Sequence, residues 1–199
     1  MKKKILMLIL ALTMILALAG CKKEASKNPS EPSVNQENSS EAGNETKGSE
    51  DNSEETKAPV DVTGKENLGK MYYNMPEGWE LQDSPEGSAL YQYKSGTSMA
   101  SASIGFQEEK LYSADVMIKA YEDSIKQNIG EWDNMTEETI GDYKWRHYDF
   151  EDGTVQEGIY ADVYLYSDGK NTLYYEFAAT ADFDLSQHIP GILESIVVQ

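Results

Sequence analysis

The 199-residue chain holds one cysteine, two histidines and six prolines. A single thiol excludes an intramolecular disulfide, so any folded part must be held by its core. The two histidines, His147 and His188, with no second cysteine, are too few for a conventional zinc site. Cations are scarce as well. Against 35 Asp and Glu stand 17 Lys and Arg, a net charge of −18. Nucleic acid is excluded as a partner, because its phosphates need clustered Lys and Arg. Direct adhesion to anionic lipid is disfavoured on the same ground, whereas solubility and cationic partners are favoured. No aromatic residue falls between Cys21 and Tyr72. The apolar run Ile5 to Leu18 is about 14 residues, short of the about 20 that a spanning helix needs.

What is present begins at the N-terminus. Lys2-Lys3-Lys4, the apolar run and Leu18-Ala19-Gly20 form the basic, apolar and small-residue parts of an export signal. Leu18-Ala19-Gly20-Cys21 then resembles the lipobox of bacterial lipoprotein precursors. The resemblance implies cleavage between Gly20 and Cys21, a diacylglyceryl group on the Cys21 sulfur, and acylation (palmitate or a similar chain) of the new N-terminus. Two or more chains anchor stably, where one binds only marginally. The expected location is the outer face of the bacterial cell membrane.

Residues 21–64 are rich in Ser, Glu, Asn and Lys, with Ser26, Asn28, Ser30, Asn38, Ser39 and Ser40 typical. Such a stretch buries too little apolar surface to offset its ordering entropy, so a disordered linker is expected. About 40 flexible residues span roughly 35 Å, a spacer between membrane and domain.

Composition changes near residue 65. All 13 tyrosines, three tryptophans and four phenylalanines follow Lys70, and residues 65–199 are expected to form one globular α+β domain. They carry 25 Asp and Glu against nine Lys and Arg. Strands are predicted at 71–74, 89–94, 99–106, 135–140, 143–150, 155–166 and 171–180, separated by turn signals at Pro76-Glu77-Gly78, Ser95-Gly96, Gly141-Asp142, Asp152-Gly153 and Ser167-Asp168-Gly169. Ser113 is placed to cap a helix over 114–129, with Met117, Ala120, Tyr121, Ser124, Ile125 and Ile129 on one face. A second helix is predicted at 187–197, with Pro190 in its first turn. The strands at 159–166 and 173–177 are apolar or aromatic on both faces, which predicts an antiparallel sheet of six to seven strands flanked by helices in α/β/α layers.

Met75-Pro76-Glu77-Gly78-Trp79, the Gly141 turn before Tyr143-Lys144-Trp145, and Ile192-Leu193-Glu194-Ser195-Ile196 resemble the Mog1/PsbP-like fold over roughly 65–199. That resemblance implies protein binding rather than a common enzyme activity, and it transfers no functional residue.

Three patterns invite a chemical reading. Gly96-Thr97-Ser98-Met99-Ala100-Ser101 matches the nucleophile segment of subtilisin-like proteases, but both histidines follow Ser98 where that family needs one before it. The match is therefore read as a turn and a small-residue strand. His147, in Tyr143-Lys144-Trp145-Arg146-His147, is either a base or metal ligand or a packed strand residue. The acids of Asp149-Phe150-Glu151-Asp152-Gly153 and Asp182-Phe183-Asp184 lack calcium-loop spacing and read as turn carboxylates. Tyr160, Tyr164, Tyr166 and Tyr174 form either a recognition surface or a core face covered by a helix. With no catalytic constellation, cofactor or metal site legible, the expectation is a non-catalytic binding module for an envelope protein or cell-surface ligand. An accessory or assembly subunit of an envelope complex is the alternative, and a carboxylate-based hydrolase is a third.

Overall fold

A computed structural model describes residues 61–199. Gly20, Cys21 and nearly all of the 21–64 linker lie outside the described residues.

Seven strands make one antiparallel sheet: β3 (Trp79–Gln82), β4 (Ser88–Ser95), β5 (Ser98–Glu108), β6 (Asn134–Ile140), β7 (Tyr143–Phe150), β8 (Ile159–Ser167) and β9 (Asn171–Thr180). Their order is β3-β4-β5-β9-β8-β7-β6, which puts the apolar strands β8 and β9 inside and the polar β6 at an edge. The hairpins close where the turn residues stand. Gly141 takes φ +62° to join Ile140 to Tyr143, and the Asp168 carboxylate accepts the backbone N–H groups of Lys170 and Asn171 at 2.7 Å each.

Period-2 alternation gives this sheet two cores. On one face the helix α1 (Ala114–Asn128) lies against β8. Its Ile125, with Ile118, Tyr121 and Ile129, packs on Tyr148, Phe150, Ala161, Val163, Leu165 and Tyr174. Ser113 occupies the N-cap position, yet its hydroxyl makes no capping bond. Ala120, expected on the packed face, is exposed, and Ile118 takes its place, because the covered stripe is centred on Ile125 rather than on Tyr121.

The opposite face corrects the expected layering. Among the described residues no second long helix covers it. A small antiparallel sheet of β1 (Glu66–Leu68), β2 (Met71–Tyr73) and β10 (Val197–Val198) lies there with the short helix α2 (Ile189–Glu194). Met71, Tyr73, Ile192, Leu193 and Ile196 cover Ile104, Trp145, Tyr164, Leu173, Tyr175 and Phe177. The helix predicted over 187–197 divides into a 3-10 turn at Leu185–Gln187, α2 and β10. It stops at Ser195 because Val197 pairs with Tyr72 of β2. The strand predicted from 155 begins at Ile159, and residues before it form turns around Gly153 and Gly158, both at positive φ. The fold is a sheet-rich α+β domain.

Candidate functional site

The sheet face under the small sheet is buried along most of its length and less so along β7. Trp145 and Tyr175 are fully buried there. Two residues further along β7 the alternation places His147, and then Asp149, on the same face, both half-buried. Across the ladder His147 meets Tyr164, and Asp149 meets Asp162 directly. Thr136 of β6 stands opposite His147 on the other side, one ladder step from Glu138.

His147 is the centre of this patch. Its Nε2 lies 2.7 Å from Asp162 Oδ1 and its Nδ1 lies 3.1 Å from Glu138 Oε1. The ring stacks on Tyr164 with centroids 4.3 Å apart and planes 7° from parallel. Burial depresses the imidazole pKa, but the bond to Asp162 and the charges of Asp162, Glu138 and Asp149 outweigh it and hold it above the ordinary value. The form that satisfies both carboxylates is the imidazolium, which donates from both nitrogens. Such a ring has no lone pair for proton abstraction or for a metal. Its charge offsets part of the repulsion between Asp149 and Asp162. Among the described residues no group of three or more His, Cys, Asp or Glu side chains is arranged to hold a metal ion.

The other sequence candidates fall elsewhere. Ser98 Oγ donates to Asp182 Oδ2 at 2.7 Å, and Thr180 Oγ1 donates to Asp182 Oδ1 at 2.6 Å. That serine ties the β4–β5 turn to the end of β9, and neither histidine bonds to it. Asp184 caps the 3-10 turn through Ser186 N, and Asp152 accepts the N–H of Gly158, so both acids hold turns.

The four tyrosines do not share a surface. Tyr160, Tyr164 and Tyr166 lie on the face of the small sheet, while Tyr174 pairs with Leu165 and lies beneath α1 on the opposite face. Tyr164 and Tyr174 are buried, and Tyr160 donates its hydroxyl proton to the Phe183 carbonyl. The core reading applies, because alternation along β8 and β9 sends Tyr164 and Tyr174 to opposite sides.

Two features were not singled out from sequence. Trp79, Tyr93, Phe183 and His188 form an aromatic cluster in which Trp79 Nε1 donates to His188 Nδ1 at 3.4 Å and the Phe183 and His188 rings stack at 5.1 Å. The Pro-Glu-Gly-Trp motif was the available signal, but Phe183 and His188 lie more than 100 residues further along the chain. The second is Glu176, a buried carboxyl beneath α1 that accepts the Tyr174 hydroxyl at 2.6 Å.

No family model and no curated protein matches the chain. Among solved structures, the chain is similar to a protein of Bacteroides thetaiotaomicron VPI-5482 at 13% identity, with a TM-score of 0.47 over 67% of this chain. The chain spans about half, 47%, of that protein's length.

Proposed function

We propose that the protein is a bacterial lipoprotein, anchored through Cys21 on the outer face of the cell membrane, whose Mog1/PsbP-like domain is a non-catalytic binding module for another envelope protein. The observation that carries this reading is Leu18-Ala19-Gly20-Cys21 behind a lysine triplet and a short apolar run. The Pro76-Glu77-Gly78-Trp79 turn into β3 and a seven-stranded antiparallel sheet with one long helix support the fold assignment. His147 supports binding over catalysis, because both its nitrogens are engaged by carboxylates. Replacement of Cys21 by Ser, followed by cell fractionation and intact mass measurement, tests the anchor. The variant is expected to leave the membrane fraction or to keep its signal, and to lack the acyl mass. A Cys21→Ser protein that stays mature and membrane-bound overturns the proposal. Crosslinking in intact cells tests binding, with an anchored linker lacking the domain as the control.

A further inference from the structure

The two edges of the seven-stranded sheet are built differently. At one edge β3 is four residues long, with Pro76 before it and Pro85 after it. Short length and flanking prolines blunt an edge against further pairing. At the other edge β6 is seven residues, Asn134-Met135-Thr136-Glu137-Glu138-Thr139-Ile140, with no proline and in unbroken register with β7.

The hairpin fixes which backbone groups face outward. A two-residue loop is closed by a hydrogen-bonded pair, here Ile140 and Tyr143, and bonded and non-bonded pairs alternate along an antiparallel ladder. Thr136 and Glu138 therefore bond inward to β7, and Met135, Glu137 and Thr139 turn their N–H and C=O outward. No backbone hydrogen bond from another described segment ends on these three residues. Helix α2 lies against the Gly141 turn through the backbone of Leu193 and Glu194. The side chains of Glu137 and Glu138 are held over the sheet faces, Glu137 by Lys144 and Arg146 and Glu138 by His147, so they do not cover the outward backbone groups, although their charge stays at the edge.

We propose that the outer edge of β6 is a docking strand that takes an extended segment of a partner protein with Lys or Arg at alternating positions, adding it as an eighth strand. This rests on the binding-module reading above and gives it a place and a chemistry. Main-chain pairing supplies affinity in this mode and alternate side chains supply selectivity. The basic requirement follows from charge. Five acids, Glu131, Asp133, Glu137, Glu138 and Asp142, border the edge against three cations, Lys126 paired with Glu131 and Lys144 and Arg146 paired with Glu137, so the rim keeps a negative excess. A second copy of the chain fits poorly, because an antiparallel two-fold centred on Glu137 sets that residue against itself, and like charges directly opposed are destabilising.

The test uses the full-length chain in detergent micelles and a capped peptide of about eight residues alternating lysine and valine, with a glutamate-for-lysine peptide as the control. Hydrogen exchange at the amides of Met135, Glu137 and Thr139 is expected to slow about tenfold under saturating lysine peptide and to stay unchanged with the control. Thr139→Pro removes an outward donor while leaving the inward ladder whole. It is expected to weaken the lysine peptide at least about tenfold with an unchanged melting temperature. Glu137→Lys is expected to weaken the lysine peptide and improve the glutamate peptide. Equal affinity for both peptides, no slowing at the three amides, protection already present without peptide, or equal binding by Thr139→Pro each overturns the proposal. Self-association detected by sedimentation, with the same amides protected, assigns the edge to a second copy and also overturns it. An anchored protein whose edge ignores the peptide defeats only this inference. An unanchored chain that still takes the peptide defeats only the anchoring.

Discussion

Glu176 sits where a carboxylate is costly to ionise: on the helix-facing side of the interior strand β9, with 1% of its surface exposed. Its ladder neighbours, Ser103 and Val163, carry no charge, and its hydrogen-bond donor is the Tyr174 hydroxyl. Burial raises its pKa to about 7 from 4.5, although the Tyr174 bond pulls the other way. The unfolded chain releases this proton first, so the contribution of the neutral carboxyl is full below about pH 4.5 and is lost as pH rises through about 7. Glu176→Gln keeps an acceptor for Tyr174 and removes the titration. It is expected to stabilise the domain by about 3 kcal/mol at pH 8 and to have little effect at pH 4.5, measured by urea unfolding at both pH values. Alternation along β9 puts Glu176 and Tyr174 on one side of the strand and Leu173, Tyr175 and Phe177 on the other. Alternation reports the side of a residue, but not whether that side is covered, and a strand glutamate reads as solvated until the helix above it is known.

At the scale of elements, the long strands and α1 were legible because each carries its own periodicity or turn signal. Of the small sheet only β2 was, as the strand predicted at 71–74. Its strands β1 and β10 have three and two residues, too few for alternation to declare itself, and β10 pairs with β2 from the far end of the chain. That pairing also ended the predicted C-terminal helix early, a tertiary effect overriding local propensity. Strand β3 was hidden behind the turn signal that precedes it. Gly78 in that turn shows why the signal and the strand belong together. It takes φ +92°, and a Cβ there would lie 2.5 Å from the Tyr93 ring. The close approach seats Trp79 against Tyr93, Phe183 and His188. Gly78→Ala combines a disfavoured backbone conformation with displacement of that ring. The expected cost is about 1–3 kcal/mol in urea unfolding, with a shift in tryptophan fluorescence as the cluster opens. An unchanged midpoint and spectrum would show that the turn and the cluster are independent. The Gly141 and Gly169 turns also sit in positive φ, yet neither borders an aromatic ring, so the spectral change distinguishes this turn from a generic glycine effect.

For the whole molecule, charge and burial together set the pH at which the fold is strongest. Two half-buried or buried groups act in one direction. His147 is held above its ordinary pKa, and Glu176 is raised to about 7, so both contribute stability at low pH that is lost as pH rises through their folded values. Surface carboxylates act in the other direction. Glu108 and Glu137 are lowered by bonds to Lys70 and Lys144, and Asp182 and Asp184 by hydroxyl bonds, so each contributes stability that is lost as pH falls through its depressed value. Exposed pairs of this kind are weak individually. The net charge of −18 adds self-repulsion that grows as carboxylates ionise and shrinks as salt screens them. All three effects place the maximum on the acid side of neutrality, between the ordinary carboxylate range and the ordinary histidine value, at roughly pH 5–6. The urea midpoint at low salt is therefore expected to rise from pH 8 to about pH 5.5 and to fall again below about pH 4. Added sodium chloride should raise it at pH 8 by reducing long-range repulsion, and should do so less at pH 5.5. In Glu176→Gln the slope between pH 8 and pH 5.5 should flatten while the salt effect at pH 8 remains, because the buried proton and the surface field are separate terms. A salt effect that disappears with Glu176 would mean the field acts mainly on that one group, and a wild-type maximum at pH 7 or above would refute the assignment of both raised groups.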